Sequence, residues 1–243
     1  MHLTAAQLAR FERDGYLAPL KFRSVEEMKA LRPALDEALS REPGLPGGDR
    51  WSARHQDCRM VYGICSSPAI VDPVASLLGP DVLIWNSVFI NKEQGAREIP
   101  WHQDRDFLLL DPCVNAAVWL AIDDATVENG CLQVVPGSHG AYLPHIPRTH
   151  AEDFDATADI PASAKEKAVH VELRAGQFIL FHKQLLHHSA ANESNKRRLG
   201  LAMRFTVPGV KVKAESFFPG YCVYPVKGHD SIRSNPIGVP PRD

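Results

Sequence analysis

The hydrophobic pattern divides the chain near residue 80. Up to that point it reads as helix. Thr4 precedes "AAQLARFERD" with Gln7 three positions on, the pattern of a capping box, and Gly15 supplies the stop. Ser24 with Glu27 repeats the box ahead of "MKALRPALDEAL", where Pro33 is expected to kink or divide the helix. "EPGLPGGDR" is a Gly- and Pro-rich loop, and Ser67-Pro68 opens a third helix that Gly79 closes. From Asp81 the pattern is one of strands. "DVLIWNSVFINK", "VNAAVWLAIDD", "CLQVV", "VHVEL", "GQFILFH" and "LGLAMRFTV" are short runs rich in β-branched and aromatic residues, separated by turn residues. Strands at such spacing predict a sandwich or barrel. The tail from Pro208, with many Pro and Gly residues, is expected to lie extended over the body. With no internal repeat, the expectation is one domain over residues 1–243: helices to about 80, a β core over about 81–207, and the tail 208–243.

Composition narrows the setting. The 243 residues suffice for one large core, and 44% hydrophobic with 23% charged residues is ordinary for a soluble protein. A net charge of −2 gives no global basic field, so no nucleic-acid partner is expected. No apolar run approaches membrane-spanning length, and Arg10, Glu12, Arg13 and Asp14 interrupt the start where a signal peptide would be apolar. The cysteines (Cys58, Cys65, Cys113, Cys131 and Cys222) form no CxxC pair, which argues against a disulfide framework or a zinc ribbon. A reducing cytoplasm is the expected compartment. The sequence does not set an oligomeric state, and a monomer is compatible with it.

The chemistry begins at "PWHQDRDF". In a strand, residues two apart share a face, so His102 and Asp104 can aim into one barrel mouth. Two such ligands and one distant histidine make the facial triad that leaves three positions open on Fe(II). "QLLHHSAANESNKRR" offers His187 and His188, and strand alternation allows at most one of them. A chain with 11 histidines yields a His-x-Asp by chance, and this one repeats it as His55-Gln56-Asp57. Context separates the two copies: His55 follows a loop, whereas His102 lies in the β half. His170-Val171-Glu172 mimics the spacing but suits an ordinary strand with polar residues outward. His139, His145, His150 and His182 are expected to be surface or structural.

The block "WHQDRDF…AAVWLAIDDATVENGCLQVVPGSH…VELRAGQFILFHKQLLHHSAANESNKRR" resembles the phytanoyl-CoA dioxygenase family of Fe(II)/2-oxoglutarate oxygenases. The resemblance runs from about Ser67 to Val207, with weaker echoes in "FERDGYLAP" and "VKGHD". Four signatures stand in the family's order: the His-x-Asp, the Trp of "AAVWLAIDD", the "ENGCLQVVPGSH" turn, and a His-x-Ser…Arg ending. On that pattern the matching residues are His187, Ser189, Asn192, Ser194 and Arg198; choosing His188 would put alanine where the hydroxyl belongs. His188 itself departs from the family's usual small residue, and either faces outward or narrows the pocket.

The resemblance implies a mainly β fold with flanking helices, a double-stranded β-helix or cupin-like jelly-roll barrel. His102, Asp104 and His187 would hold Fe(II). 2-Oxoglutarate and dioxygen would be co-substrates, the former decarboxylated to succinate as a C–H bond of a small molecule is hydroxylated. Arg198 would grip the distal carboxylate, since a planar guanidinium matches a carboxylate in bidentate fashion, and Ser189, on the face of His187, could donate to it. Arg197 would face away as a solvated charge. Asn91 resembles a co-substrate position and Trp119 lines the same region. Halogenating relatives carry Ala or Gly at the carboxylate position, so Asp104 implies oxygenation. Relatives act on acyl-CoA thioesters, amino-acid derivatives, phosphonates, betaine-like molecules and natural-product scaffolds. The locally basic "DRWSARHQDCR" (Arg50, Trp51, Arg54, His55, Arg59), with Asn86 and Arg105, either meets a polar substrate or is a solvated loop. Two rival readings are a non-catalytic cupin-like metal binder, against which the intact set of His102, Asp104, His187 and Arg198 speaks, and a zinc hydrolase using the same histidines, which has no use for Arg198.

Overall fold

The computed structural model describes residues 2–44, 49–107, 109–147, 156–213 and 219–242. Its helices are α1 (Ala5–Asp14), α2 (Val25–Ser40), α3 (Arg59–Cys65), α4 (Pro68–Leu78) and the short α5 (Ala162–Lys165). The strands of the first half are β1 (Tyr16–Lys21), β2 (Val82–Lys92), β3 (Ile99–His102), β4 (Leu110–Asp111), β5 (Ala116–Ala121), β6 (Leu132–Val134) and β7 (His145–Pro147). Those of the second half are β8 (Ala156–Ala158), β9 (Val169–Val171), β10 (Gln177–His182), β11 (His187–Ser189), β12 (Arg198–Thr206), β13 (Lys211–Val212) and β14 (Tyr224–Lys227).

Both capping boxes form. The Thr4 and Ser24 hydroxyls accept from the backbone N–H groups of Gln7 and Glu27, whose side chains accept in return from the cap residues' backbone. Gly15 ends α1 in the left-handed region at φ 80°, where a side chain would be strained. Pro33 does not divide α2. The burial of Met28 on one side of it and Leu35 and Leu39 on the other pins both halves to the core. Several elements carry no expectation from the pattern, among them β1, and α3, which follows directly on "RHQDC". The tail is not only a covering, since β14 pairs with β2 at the edge of the main sheet.

The main sheet has the order β1-β10-β5-β12-β2-β14, and the second sheet β3-β11-β6-β9. Among the described residues, neighbouring strands in both sheets pair antiparallel. Strand alternation assigns the two faces of the main sheet. Leu199, Leu201, Met203 and Phe205 pack with Val118, Leu120, Phe178 and Leu180 under α2, α3 and α4. Ala202, Ala117, Trp119, Ile179 and Phe181 face the other way, onto Leu132, Val134 and Val171 of the second sheet. At roughly 25 cal/mol per Å2 of apolar surface, both interfaces contribute to stability. Two antiparallel sheets across an apolar interior form the expected double-stranded β-helix, open rather than closed. Among the described residues no single helix is long and apolar enough to cross a membrane.

Candidate active site

The inner face of the fold brings the predicted triad together. β3 and β11 pair with His102 opposite His187, so the imidazole centroids lie 4.0 Å apart. Asp104 is not on the strand: β3 ends at His102, and Asp104 begins a 3-10 turn over Asp104–Phe107. The same-face rule for alternate strand residues therefore does not place it. Its Oδ1 nevertheless lies 3.7 Å from Nε2 of His102 and 3.8 Å from Nε2 of His187. One ligand atom from each of the three residues falls within 4.8 Å of the others, the single such cluster of three His, Cys, Asp or Glu side chains among the described residues.

Protonation suits a cation. The Nδ1–H of His102 donates to the Pro100 carbonyl at 2.8 Å and that of His187 to the Leu185 carbonyl at 2.9 Å. A carbonyl only accepts, so Nδ1 carries the proton and Nε2 offers its lone pair toward Asp104. Burial, reinforced by His187, depresses His102 to about 3, and burial lowers His187 as well; both rings are neutral at pH 7. Burial alone would raise the Asp104 carboxyl, but the Arg204 guanidinium and then the two imidazoles outweigh it and hold it at about 2. The result is one carboxylate and two neutral imidazoles, the donor set that suits a divalent transition metal.

A second group of polar atoms lies alongside. Arg198 is 1% exposed, and no carboxylate among the described residues pairs with it. Its Nε and Nη2, the Ser189 hydroxyl and the Trp119 indole N–H are all buried without a hydrogen-bond partner. Burial lowers Arg198 to about 10, which leaves it charged at neutral pH. An uncompensated buried cation with unused donors is costly unless an anion occupies the place. Ser189 and Trp119 line the cavity of the triad together with Phe181, Leu132 and Ile99. Arg198 packs against Trp119, its guanidinium carbon 5.2 Å from the ring centroid. Gly200 makes this possible: a Cβ there would lie 2.1 Å from Cζ2 of Trp119.

The other expected residues divide. His188 lines the cavity, stacked on Trp101 at 5.0 Å with its Nε2 3.2 Å from Glu98, so it narrows the pocket rather than facing out. Asn91 is not in the cluster. Its amide donates to Glu93, and the register puts its neighbours Ile90 and Lys92 opposite the inward-facing Gly200 and Arg198. Arg197 faces away, as expected, but it is paired with Asp36 and Asp123 rather than solvated. The duplicate His55-Gln56-Asp57 has structural partners: buried His55 is 2.7 Å from the Ser87 hydroxyl, and Asp57 binds Arg54 and the Gly44 N–H. Arg50 lies over Trp51 and Arg105 over Tyr142, and neither they nor Arg54, Arg59 or Asn86 line the cavity. His170 and Glu172 are outward, as the strand pattern expects. His139 contacts the Glu12 carbonyl, His182 accepts from Gln184, and His145 accepts from the Gln103 N–H; His150 lies outside the described residues.

Two inward residues have no counterpart among the expected ones. Lys92 is buried and donates to the carbonyls of Ser189 and Ala190, while burial and then Arg198 lower its ammonium to about 7. Arg204 lines the cavity and reaches Asp104. A signal for it existed: it is the lone charge in "LGLAMRFTV", an even number of positions from Arg198 on the same strand.

A family model described as phytanoyl-CoA dioxygenase (PhyH) matches residues 11–200. The chain belongs to the phytanoyl-CoA dioxygenase family. It is similar to phytanoyl-CoA dioxygenase 1 of Oryza sativa subsp. japonica, 28% identical over 251 residues covering 83% of this chain and 88% of the relative. Among solved structures it is similar to the apo form of ThoJ, a non-heme monooxygenase, with a TM-score of 0.79 and 28% identity over 96% of this chain and 87% of that one. It is also similar to CytC3 with Fe(II) and alpha-ketoglutarate, with a TM-score of 0.74 and 26% identity over 100% of this chain and 99% of that one. Members of the phytanoyl-CoA dioxygenase family are oxygenases, and the protein is an enzyme of that kind.

Proposed function

We propose that this protein is an Fe(II)/2-oxoglutarate-dependent dioxygenase that hydroxylates an unactivated C–H bond of a small, polar metabolite or natural-product intermediate, releasing succinate and carbon dioxide. The observation that carries the reading is the pairing of one metal-binding triad with one buried guanidinium whose Nε and Nη2 have no hydrogen-bond partner. His102, Asp104 and His187 would hold the iron through two Nε2 atoms and a carboxylate oxygen. Arg198, with the Ser189 hydroxyl and the Trp119 N–H, would take the distal carboxylate of 2-oxoglutarate, each unused donor gaining an acceptor. Iron and co-substrate, once bound, supply the dioxygen-activating chemistry, while the protein orients and shields it. Phe181, Leu132, Ile99 and Ala117 keep that space apolar and exclude water.

The test is a screen of candidate substrates coupled to succinate release, run with and without dioxygen. Succinate is expected only from aerobic reactions containing Fe(II) and 2-oxoglutarate. A zinc hydrolase or a non-catalytic metal binder would release none, and that result would remove the reading. Because Asp104 fills the third protein position, excess chloride is expected to yield no chlorinated product with any accepted substrate. Mass spectrometry of the products checks this, and a chlorinated product would mean that the carboxylate does not hold its place on the metal.

Gly200→Ala probes the co-substrate side. The added methyl forces the Trp119 ring off its seat, and overpacking of this kind costs roughly 1–3 kcal/mol. The 2-oxoglutarate requirement is expected to rise about ten-fold or more while metal affinity holds. Unchanged 2-oxoglutarate dependence with a lowered Tm would make Trp119 a core residue only.

A further inference from the structure

Asp104 is the member of the triad that the sheet does not aim. His102 and His187 face one another across the β3–β11 ladder, so backbone register sets both imidazoles. The carboxylate projects from a 3-10 turn, and at 2% exposure it has no bulk water in which to settle. A short side chain in that position takes its direction from its hydrogen-bond donors. Among the described residues one side chain hydrogen-bonds to it. Arg204, on β12 of the opposite sheet, places Nε 3.3 Å from Oδ2 and Nη2 3.4 Å from Oδ1. The contacts are long, but they use two neighbouring N–H donors on one edge of a planar group, which fixes the plane of the carboxylate as a single contact would not. In that plane Oδ1 stays within 3.8 Å of both histidine Nε2 atoms. Arg204 has no other carboxylate partner among the described residues.

We propose that Arg204 is a positioning residue of the metal site, holding Asp104 so that one of its oxygens completes the triad; this rests on the reading of His102, Asp104 and His187 as metal ligands. A guanidinium so near a divalent ion also repels it, so charge and geometry act in opposite directions. Substituting lysine separates them: the repulsion stays and the fork is lost. Partners that orient a ligand typically change metal affinity by about 10–100-fold when removed.

The experiment is a double-mutant cycle read by Co(II) titration of metal-stripped protein, with visible absorption and calorimetry as signals and no turnover required. Arg204→Lys is expected to weaken Co(II) binding by roughly ten- to a hundred-fold. In the Asp104→Ala background the same substitution is expected to change affinity by no more than about two-fold, the scatter of independent sites. Wild-type affinity in Arg204→Lys, or an equal loss in both backgrounds, would overturn the proposal. Should Arg204→Lys fail to fold by circular dichroism, Arg204→Gln enters the same cycle, where the lost charge acts in both backgrounds and cancels from the coupling. Wild-type protein that binds no Co(II), or that binds it equally well as Asp104→Ala, would overturn the metal site and this role together.

Discussion

His102→Ala is expected to abolish succinate release and to reduce Fe(II) affinity sharply, while His55→Ala keeps wild-type Fe(II) affinity and lowers only Tm. Both histidines open a His-Gln-Asp tripeptide and both are buried, so exposure does not distinguish them. Partners do. His102 donates from Nδ1 to a backbone carbonyl and turns Nε2 toward Asp104, opposite His187. His55 contacts the Ser87 hydroxyl and sits edge-on to Tyr224, with Asp57 committed to Arg54. Removing His55 leaves a hole in packed interior, which costs stability through lost contacts and an unmatched hydroxyl. Removing His102 would take away one of the three donors of the proposed metal site. Anaerobic Fe(II) titration of both variants decides the matter, and equal loss of iron in the two would sink the assignment of the triad.

The contrast between the two tripeptides shows where the sequence is informative. Local chemistry was readable: both capping boxes, the glycine stop of α1 and the apolar runs that became β2, β5, β10 and β12 all depend on neighbours in the chain. Register within β12 was readable too, because a strand has a period of two: Arg198 turns in while Arg197 turns out. The period fails where the strand does. β3 stops at His102, so the place of Asp104 depends on Arg204, a hundred positions away and on the other sheet. Asn91 shows the same limit from another side: its place depends on which β12 residue it opposes, and register gives the inner face to Ile90 and Lys92. A helix such as α3, only seven residues long, has too few turns to reveal its period and forms because Val61, Ile64 and Cys65 are buried against the core.

Arg198→Lys is expected to raise the 2-oxoglutarate requirement by roughly ten- to a hundred-fold with Fe(II) binding nearly unchanged, and Arg197→Lys to do almost nothing to either. Lysine keeps the charge of Arg198 but not the planar fork, so on the proposed role one charge-assisted hydrogen bond to the distal carboxylate would be lost or weakened. Such a bond contributes about 1.5–3 kcal/mol, which is one to two decades in affinity. The adjacent arginine is the right control, since it has the same charge one residue earlier. Arg197 is partly exposed and bound to Asp36 and Asp123, where lysine can still pair and where such pairs contribute at most about 1 kcal/mol. The KM for 2-oxoglutarate, from succinate release, and the Kd of Fe(II) separate the two sites within one pair of variants. A large effect from Arg197→Lys with a small one from Arg198→Lys would mean that β12 is read one residue out of register, and His187, Ser189 and Arg198 would all need reassignment.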